Sequence, residues 1–405
     1  MKSSTDLLTQ HLAALVPSNA YGIYIHVPFC ERRCKYCAFV SSVARPVPSE
    51  DYAHALCQEI QARNEAFTSR KLATVYWGGG TPTMLADRDI EKVMTHIHHL
   101  CGDASEITLE ANPEHVNPVR AQTWKSLGFS RVSLGVQSFD DDMLALLGRR
   151  HNKKRVLDAI CALQQAGLDE ICIDLIYGAR SGDGKSQCEI ERWKNELITA
   201  RELPITHVSC YELTLEPHTP LCTAQNSGQS VLCEDDLIAD MMAIIPEGLG
   251  MTRYEISNYS RDGYFSAHNV SCWAGLPYLG VGPGAHSFVL DGENSMFLRR
   301  ANSGHVRNWL ASMQTHGHAE PEFIETLTPT EHLAERLMCA ARTRFWWHPE
   351  RIAHEIGAEL APFLSALNKA LTCQLVEQKT ADEYRTTELG IALNNRLDTI
   401  LFSSL

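Results

Sequence analysis

The feature that most limits the fold of this chain is an alternation. Over its first 215 residues, six short, β-branched and mostly apolar runs are separated by amphipathic ones. The strand-like runs are Gly22–Val27, Ala73–Trp77, Glu106–Glu110, Arg131–Val136, Ile171–Ile176 and His207–Leu213. The helix-like runs are Ser49–Phe67, Asp87–Leu100, Pro118–Leu127, Lys153–Gln165 and Glu189–Arg201. Strands spaced by helices pair in parallel through right-handed crossovers, which puts the helices outside the sheet. Six such units are too few to close an eight-stranded barrel. The pattern predicts an α/β fold, an incomplete and splayed (β/α)6 TIM-like barrel, whose functional groups belong at the C-terminal ends of the strands.

Those ends carry chemistry. The first strand runs into Cys30-Glu-Arg-Arg-Cys34-Lys-Tyr-Cys37. The next four end in Gly78-Gly79-Gly80-Thr81-Pro82-Thr83, Leu109-Glu110-Ala111-Asn112-Pro113, Gly135-Val136-Gln137-Ser138 and Asp174-Leu175-Ile176-Tyr177-Gly178. Polar or glycine residues at five successive strand ends predict the rim of one binding cavity facing the cysteine loop. Thiolates at this spacing can ligate three irons of a cubane cluster from one loop, leaving the fourth iron open to a small molecule. The same cysteines suit zinc with His26 as a fourth ligand, although structural zinc sites usually pair two short knuckles and no second knuckle follows. Unrelated thiols are the other bland reading. Taken singly, the glycine turn, Glu110 and Arg149 are more often a tight turn and solvated charges than ligands.

Composition narrows the setting. The other cysteines among the 14 are scattered singly, which is not a secreted disulfide framework; each is expected to be a small buried apolar residue. Residues 1–20 lack a signal-peptide apolar core, and no run of 18 apolar residues exists, so no transmembrane segment is expected. A reduced, cytoplasmic setting follows, with peripheral membrane contact left open. A net charge of −13 argues against a nucleic-acid partner.

Beyond the alternation lie a Ser/Gly/Gln-rich loop at Cys222–Cys233, a helix at Glu234–Ile245, a strand-like Arg253–Ser257 and a glycine- and aromatic-rich His268–Phe288. The last stretch reads as a small module. Glu331–Arg342, Pro349–Gly357 and Ala361–Leu371 look helical, Cys373–Glu377 and Thr399–Phe402 suggest a β wing, and Phe345-Trp346-Trp347 reads as core. The expected division is an extension at 1–20, a core at 21–255, a connecting region at 256–327 and a winged-helix-like α+β domain at 328–405.

On these motifs the chain resembles the radical S-adenosylmethionine superfamily, in the branch of oxygen-independent coproporphyrinogen dehydrogenases, from about Tyr21 to Arg342. The resemblance implies that Cys30, Cys34 and Cys37 hold a 4Fe-4S cluster whose open iron chelates S-adenosylmethionine. One electron into the sulfonium then breaks a carbon–sulfur bond and yields a deoxyadenosyl radical. It also implies that Gly79, Gly80 and Thr81 let the backbone approach the methionine moiety. Glu110 and Arg149 take its amino and carboxylate ends, Gln137 and Asp174 complete the rim around adenosine, and Tyr24 and Tyr36 flank the cluster loop. One or two such cofactors fit the branch.

Within the branch the chain is most similar to the HemW-type heme chaperones. Tyr211-Glu-Leu-Thr-Leu-Glu-Pro217, Tyr254-Glu-Ile-Ser-Asn-Tyr259, His268-Asn-Val-Ser-Cys272-Trp273, Tyr278-Leu-Gly-Val-Gly-Pro-Gly-Ala-His286 and Ala334-Glu-Arg-Leu-Met338 carry the likeness. The dehydrogenases add a fourth cysteine where this chain has Phe39, and a long N-terminal arm for which the residues ahead of the first strand are too few. The implied function is transfer of heme to acceptor proteins, with an electron donor as a further partner. Coproporphyrinogen dehydrogenase, or a radical methyltransferase or cyclopropanase, is the enzymatic alternative. Histidine and cysteine both ligate heme iron, which makes His268, Cys272 and His286 the candidates. Two departures from the family stand out: Cys272 replaces a usual tyrosine, and Ala179–Lys185 replaces a usual Leu-Pro-Gly-Gln-Thr.

Overall fold

The computed structural model describes residues 17–180, 186–290 and 297–402. Most of the altered loop at 179–185, and most of the extension at 1–20, lie outside the described residues. The six expected strands form: β1 (Ala20–Val27), β2 (Lys71–Gly79), β3 (Glu106–Ala111), β4 (Arg131–Gln137), β5 (Glu170–Tyr177) and β6 (His207–Glu212). They pair in parallel in chain order. The crossovers are α1 (Ser49–Arg63), α2 (Asp87–Cys101), α3 (Pro118–Ser126), α4 (Asp141–Leu147), α5 (Lys153–Gln165) and α6 (Ser186–Glu202).

Alternation along each strand separates two environments. In β1, Tyr21, Ile23, Ile25 and Val27 are buried in the main apolar cluster. Gly22, Tyr24 and His26 point the other way, where they meet Thr74, Tyr76 and His268. Further polar side chains, Glu110, Ser133, Asp174 and Ser209, follow on that inner face. The barrel is therefore apolar outside, under its helices, and polar within.

The sheet also outgrows the expected six strands. Parallel to β1, on its free flank, lies β9 (Tyr278–Val281). Antiparallel β10 (His286–Leu290), β11 (Phe297–Asn302) and β12 (Pro321–Leu327) extend that edge, and a hairpin of β7 (Thr252–Arg253) and β8 (Asn258–Ser260) covers β6. Among the described residues the result is one open twelve-stranded sheet with no closed barrel. The strand expected at Arg253–Ser257 is instead the turn of that hairpin, where Ser257 N–H bonds the Glu255 carboxylate. Glu59 of α1 ties the extension down. Its buried carboxylate accepts from Arg63, Asn302, Gly282 N–H and Trp309 Nε1 at 2.7–3.0 Å.

The helices α7 (Asp235–Ala243), α8 (Ala267–Trp273) and α9 (Val306–His316) pack around this sheet. A second apolar cluster gathers α10 (Pro329–Ala341), α11 (Pro349–Ile356), α12 (Leu364–Thr372) and α13 (Asn394–Phe402) against a hairpin of β13 (Val376–Thr380) and β14 (Glu383–Thr386). Thr399–Phe402, expected as a strand, is the end of α13, because Leu397, Ile400 and Leu401 recur at helical spacing on its buried side. Phe345 and Trp347 are core residues, the first edge-on to Phe265 and the second stacked on Tyr384. Of the isolated cysteines, Cys57, Cys172, Cys210 and Cys233 are buried as expected, whereas Cys161 and Cys188 are exposed on helices.

Candidate functional site

One cavity of about 680 Å3 opens at the C-terminal ends of the strands. Cys30, Cys34, Cys37, Tyr36, Gly79, Gly80, Thr81, Glu110, Gln137, Arg149 and Asp174 all line it.

The cysteine loop is held by a helix end. Asp140 caps α4, its side chain accepting from the Asp142 and Met143 N–H groups. The helix stops at Gly148, whose φ of +80° suits glycine. A Cβ there would lie 2.9 Å from Lys35. Carbonyls at this C-terminus accept cationic donors from the cysteine loop: Lys35 Nζ bonds Ala145 O (3.1 Å) and Arg32 bonds Gly148 O (2.8 Å). The next residue, Arg149, thereby enters the cavity. It donates to Cys34 Sγ (3.4 Å), Asn112 Oδ1 (2.6 Å) and the Gly135 carbonyl (2.7 Å), and leaves its Nε unpaired.

The opposite wall is a carboxylate pair. Glu110 accepts from Tyr76 (2.7 Å) and from Gly79 N–H (3.2 Å). Burial, reinforced by the nearby Asp174 charge, pushes Glu110 up to about 7. Burial likewise raises Asp174 to about 6, against the Ser209 and Ser133 hydroxyls and Arg149, which favour its ionised form. Burial also raises the Cys30 and Cys37 thiols; the Thr81 hydroxyl, 3.7 Å from Cys30 Sγ, partly offsets this for Cys30.

Gly79 has φ +106°, and a Cβ there would collide with the His26 ring at 2.6 Å. Gln137 adopts φ +69°, a conformation an L-residue rarely takes, where the β4–β5 register slips. Such strain at a cavity wall marks a position fixed for what it contacts.

Some expectations resolve differently. Tyr24 lies beneath the floor, bonded to His26 Nδ1 (3.0 Å) and stacked on Tyr76, and does not line the cavity. His26 is no zinc ligand as placed: its Nε2 meets the Val40 carbonyl (2.9 Å), so both ring nitrogens are engaged. His268 is buried, its Nδ1 on Thr74 (2.8 Å) and its ring stacked on Tyr76, and burial pulls its imidazole down to about 4. Burial pushes Cys272, beside Cys339, up to about 12. His286 is exposed on β10. Of the three expected heme ligands, His268 is enclosed, Cys272 is half-buried one turn further along the same helix, and His286 stands apart on β10. Asn112, Tyr76 and Ser133 went unassigned in the sequence. Asn112 stood in a quoted strand-end motif, and the other two share the strand parity of Glu110 and Asp174 neighbours.

The donor set fits an iron–sulfur cluster: three thiols share one cavity, with a guanidinium on one sulfur and a hydroxyl on another. Among the described residues no three His, Cys, Asp or Glu side chains gather as ligands of a single ion.

Residues 24–182 match the model of the radical SAM superfamily. The heme chaperone HemW of Synechocystis is 34% identical over 81% of this chain and 78% of its own length. HemW of Bacillus subtilis is 30% identical over 92% and 97%. The bovine mitochondrial radical S-adenosyl methionine domain-containing protein 1 is 31% identical over 80% and 74%. In fold, the chain is similar to the radical SAM enzyme coproporphyrinogen III oxidase (HemN) of Escherichia coli, with a TM-score of 0.78 over 100% of this chain and 94% of that one at 20% identity. The chain belongs to the radical SAM superfamily and, within it, to the HemW family.

Proposed function

We propose that this chain is a heme chaperone that holds a 4Fe-4S cluster, binds S-adenosylmethionine and passes heme to acceptor proteins. The observation that supports it most is the convergence of Cys30, Cys34 and Cys37 on a cavity walled by Glu110, Asp174 and Arg149. A cluster held by three thiolates supplies an open iron for the nucleotide and an electron for its sulfonium. The chain's own residues do the rest. Glu110, once ionised, takes an ammonium; the free Arg149 Nε is the donor left for a carboxylate; Gly79 and Gly80 keep side chains out of the way. Gln137 and Asp174 face the nucleoside end. Arg149 steadies the Cys34 sulfur while it donates elsewhere.

Phe39, where a dehydrogenase carries its fourth cysteine, favours carrying heme over converting porphyrinogen. The division into residues 21–255, 256–327 and 328–405 is part of the same reading, as are a cytoplasmic setting, an electron donor and a peripheral membrane contact. Among the described residues no helix is long and apolar enough to cross a membrane. Anaerobic reconstitution, with iron and sulfide analysis followed by heme titration, tests the reading. Uptake of a cluster and of one heme per chain is expected. Stoichiometric zinc with no cluster, or turnover of coproporphyrinogen, overturns it.

A further inference from the structure

Immediately after the last cluster cysteine the chain exposes Phe39 (66%), Val40 (38%) and Val43 (57%). Three exposed apolar side chains within five residues, two on the loop and Val43 on the short strand that pairs with Phe29–Cys30, are a patch that asks for a ligand. Beside them runs a second cavity, a shallow groove of about 500 Å3 between Val40–Ser42 and Gly304–Asn308 at the start of α9. Ser41 lines both this groove and the cysteine cavity.

The groove holds the parts that an iron porphyrin needs. His305 lies on its wall, exposed, and its ring makes no hydrogen bond or ion pair among the described residues. An imidazole with no partner at either nitrogen is a ready axial ligand. Arg307 lines the same wall, and Arg33 reaches the rim, donating to the Ser41 carbonyl (3.1 Å). Two guanidiniums at the edge of an apolar strip match a flat apolar ring that ends in two carboxylates. The histidines named in the sequence fit less well: Thr74 and Tyr76 engage His268, and His286 stands on β10 outside the groove lining.

We propose that heme docks in this groove, with His305 on the iron, the ring on Val40 with Phe39 and Val43, and the propionates on Arg307 and Arg33. The site rests on the heme-carrier reading and names its place. Iron is thereby held one loop away from the cluster cysteines, on a strip whose position the Cys37 ligand sets.

Titration of the full chain with hemin, followed by Soret absorbance and electron paramagnetic resonance, tests the site. His305→Ala should weaken binding roughly tenfold or more, the scale of one lost ligand bond. It should also erase the imidazole-ligated signature, and added imidazole should restore it. Arg307→Glu should weaken hemin but leave the dimethyl ester of hemin, which lacks the carboxylates, unaffected. Wild-type affinity and spectrum in His305→Ala overturn the site, as does loss of the spectrum in His286→Ala or His268→Ala alone. Should the wild-type chain take up no heme, the heme-carrier reading itself fails, which is a separate result. Because His305 and Arg307 are exposed, unchanged melting of both variants is expected and excludes misfolding.

Discussion

Arg149 donates to the sulfur of Cys34 across 3.4 Å while its other terminal nitrogen is fastened to Asn112 and to the Gly135 carbonyl. One half-buried cation thus couples the cysteine loop to the ends of β3 and β4. Arg149→Met should cost about 1–3 kcal/mol of stability, the range for leaving enclosed acceptors without their donor. It should also lower iron retention on reconstitution. Lysine, with no fork, should rescue only in part. Denaturant midpoints and iron content read the two effects separately.

Gln137 offers a test in which stability and binding move apart. Its positive φ stores strain that glycine would relieve. Gln137→Gly should raise the stability of the ligand-free chain by up to about 1 kcal/mol. The same change should weaken S-adenosylmethionine binding by calorimetry, since the side chain that lines the cavity is gone. A variant that loses stability would show that Gln137 is there for packing.

Glu110 and Asp174 make the ligand-free protein sensitive to pH. Both carboxyls are held above their ordinary range by burial, to about 7 and about 6. A raised carboxyl favours the fold in its neutral form. This contribution is complete below the ordinary carboxylate values and is lost as pH climbs through 6 and 7. Discounted for water in the cavity, the loss is on the order of 1–2 kcal/mol. Thermal melting of the apo chain should therefore decline from pH 5 to pH 8, roughly the window of these groups. Glu110→Gln should flatten the curve. Affinity for the ammonium end of S-adenosylmethionine should instead rise over the same window.

Tyr76 tunes that titration. Its hydroxyl bonds Glu110 at 2.7 Å and favours the carboxylate against the stronger effect of burial. Tyr76→Phe should push Glu110 above about 7, so the midpoint of the binding profile should move to higher pH while the fold stays intact. A profile that does not move would detach Glu110 from ligand binding.

Much of the barrel was legible because its code is local. Ala73–Trp77 and Ile171–Ile176 are apolar and β-branched, and Lys153–Gln165 begins after Asn152, whose side chain caps Arg155 N–H. The cavity rim was legible too, since strand polarity and strand end sufficed to collect Gly79, Glu110, Gln137 and Asp174. What sequence hid was long-range. Helix α4 is only seven residues, Asp141–Leu147, too short for periodicity to announce, yet its C-terminus seats the cysteine loop. Tyr24 shares the polar face of β1 with the cavity, but its depth below the rim follows from the stacking of Tyr76. His305 belongs to no motif; it gains meaning only when α9 meets Val40.

The pairing of β1 with β9 sets Gly22 opposite Tyr278. During synthesis, β1 leaves the ribosome with one backbone edge bare until β9, about 250 residues later in the chain, emerges. A nascent polypeptide halted before that partner would present a ready template for aggregation. Successful biogenesis therefore hinges on the whole length being delivered promptly, or on something shielding that edge in the interval.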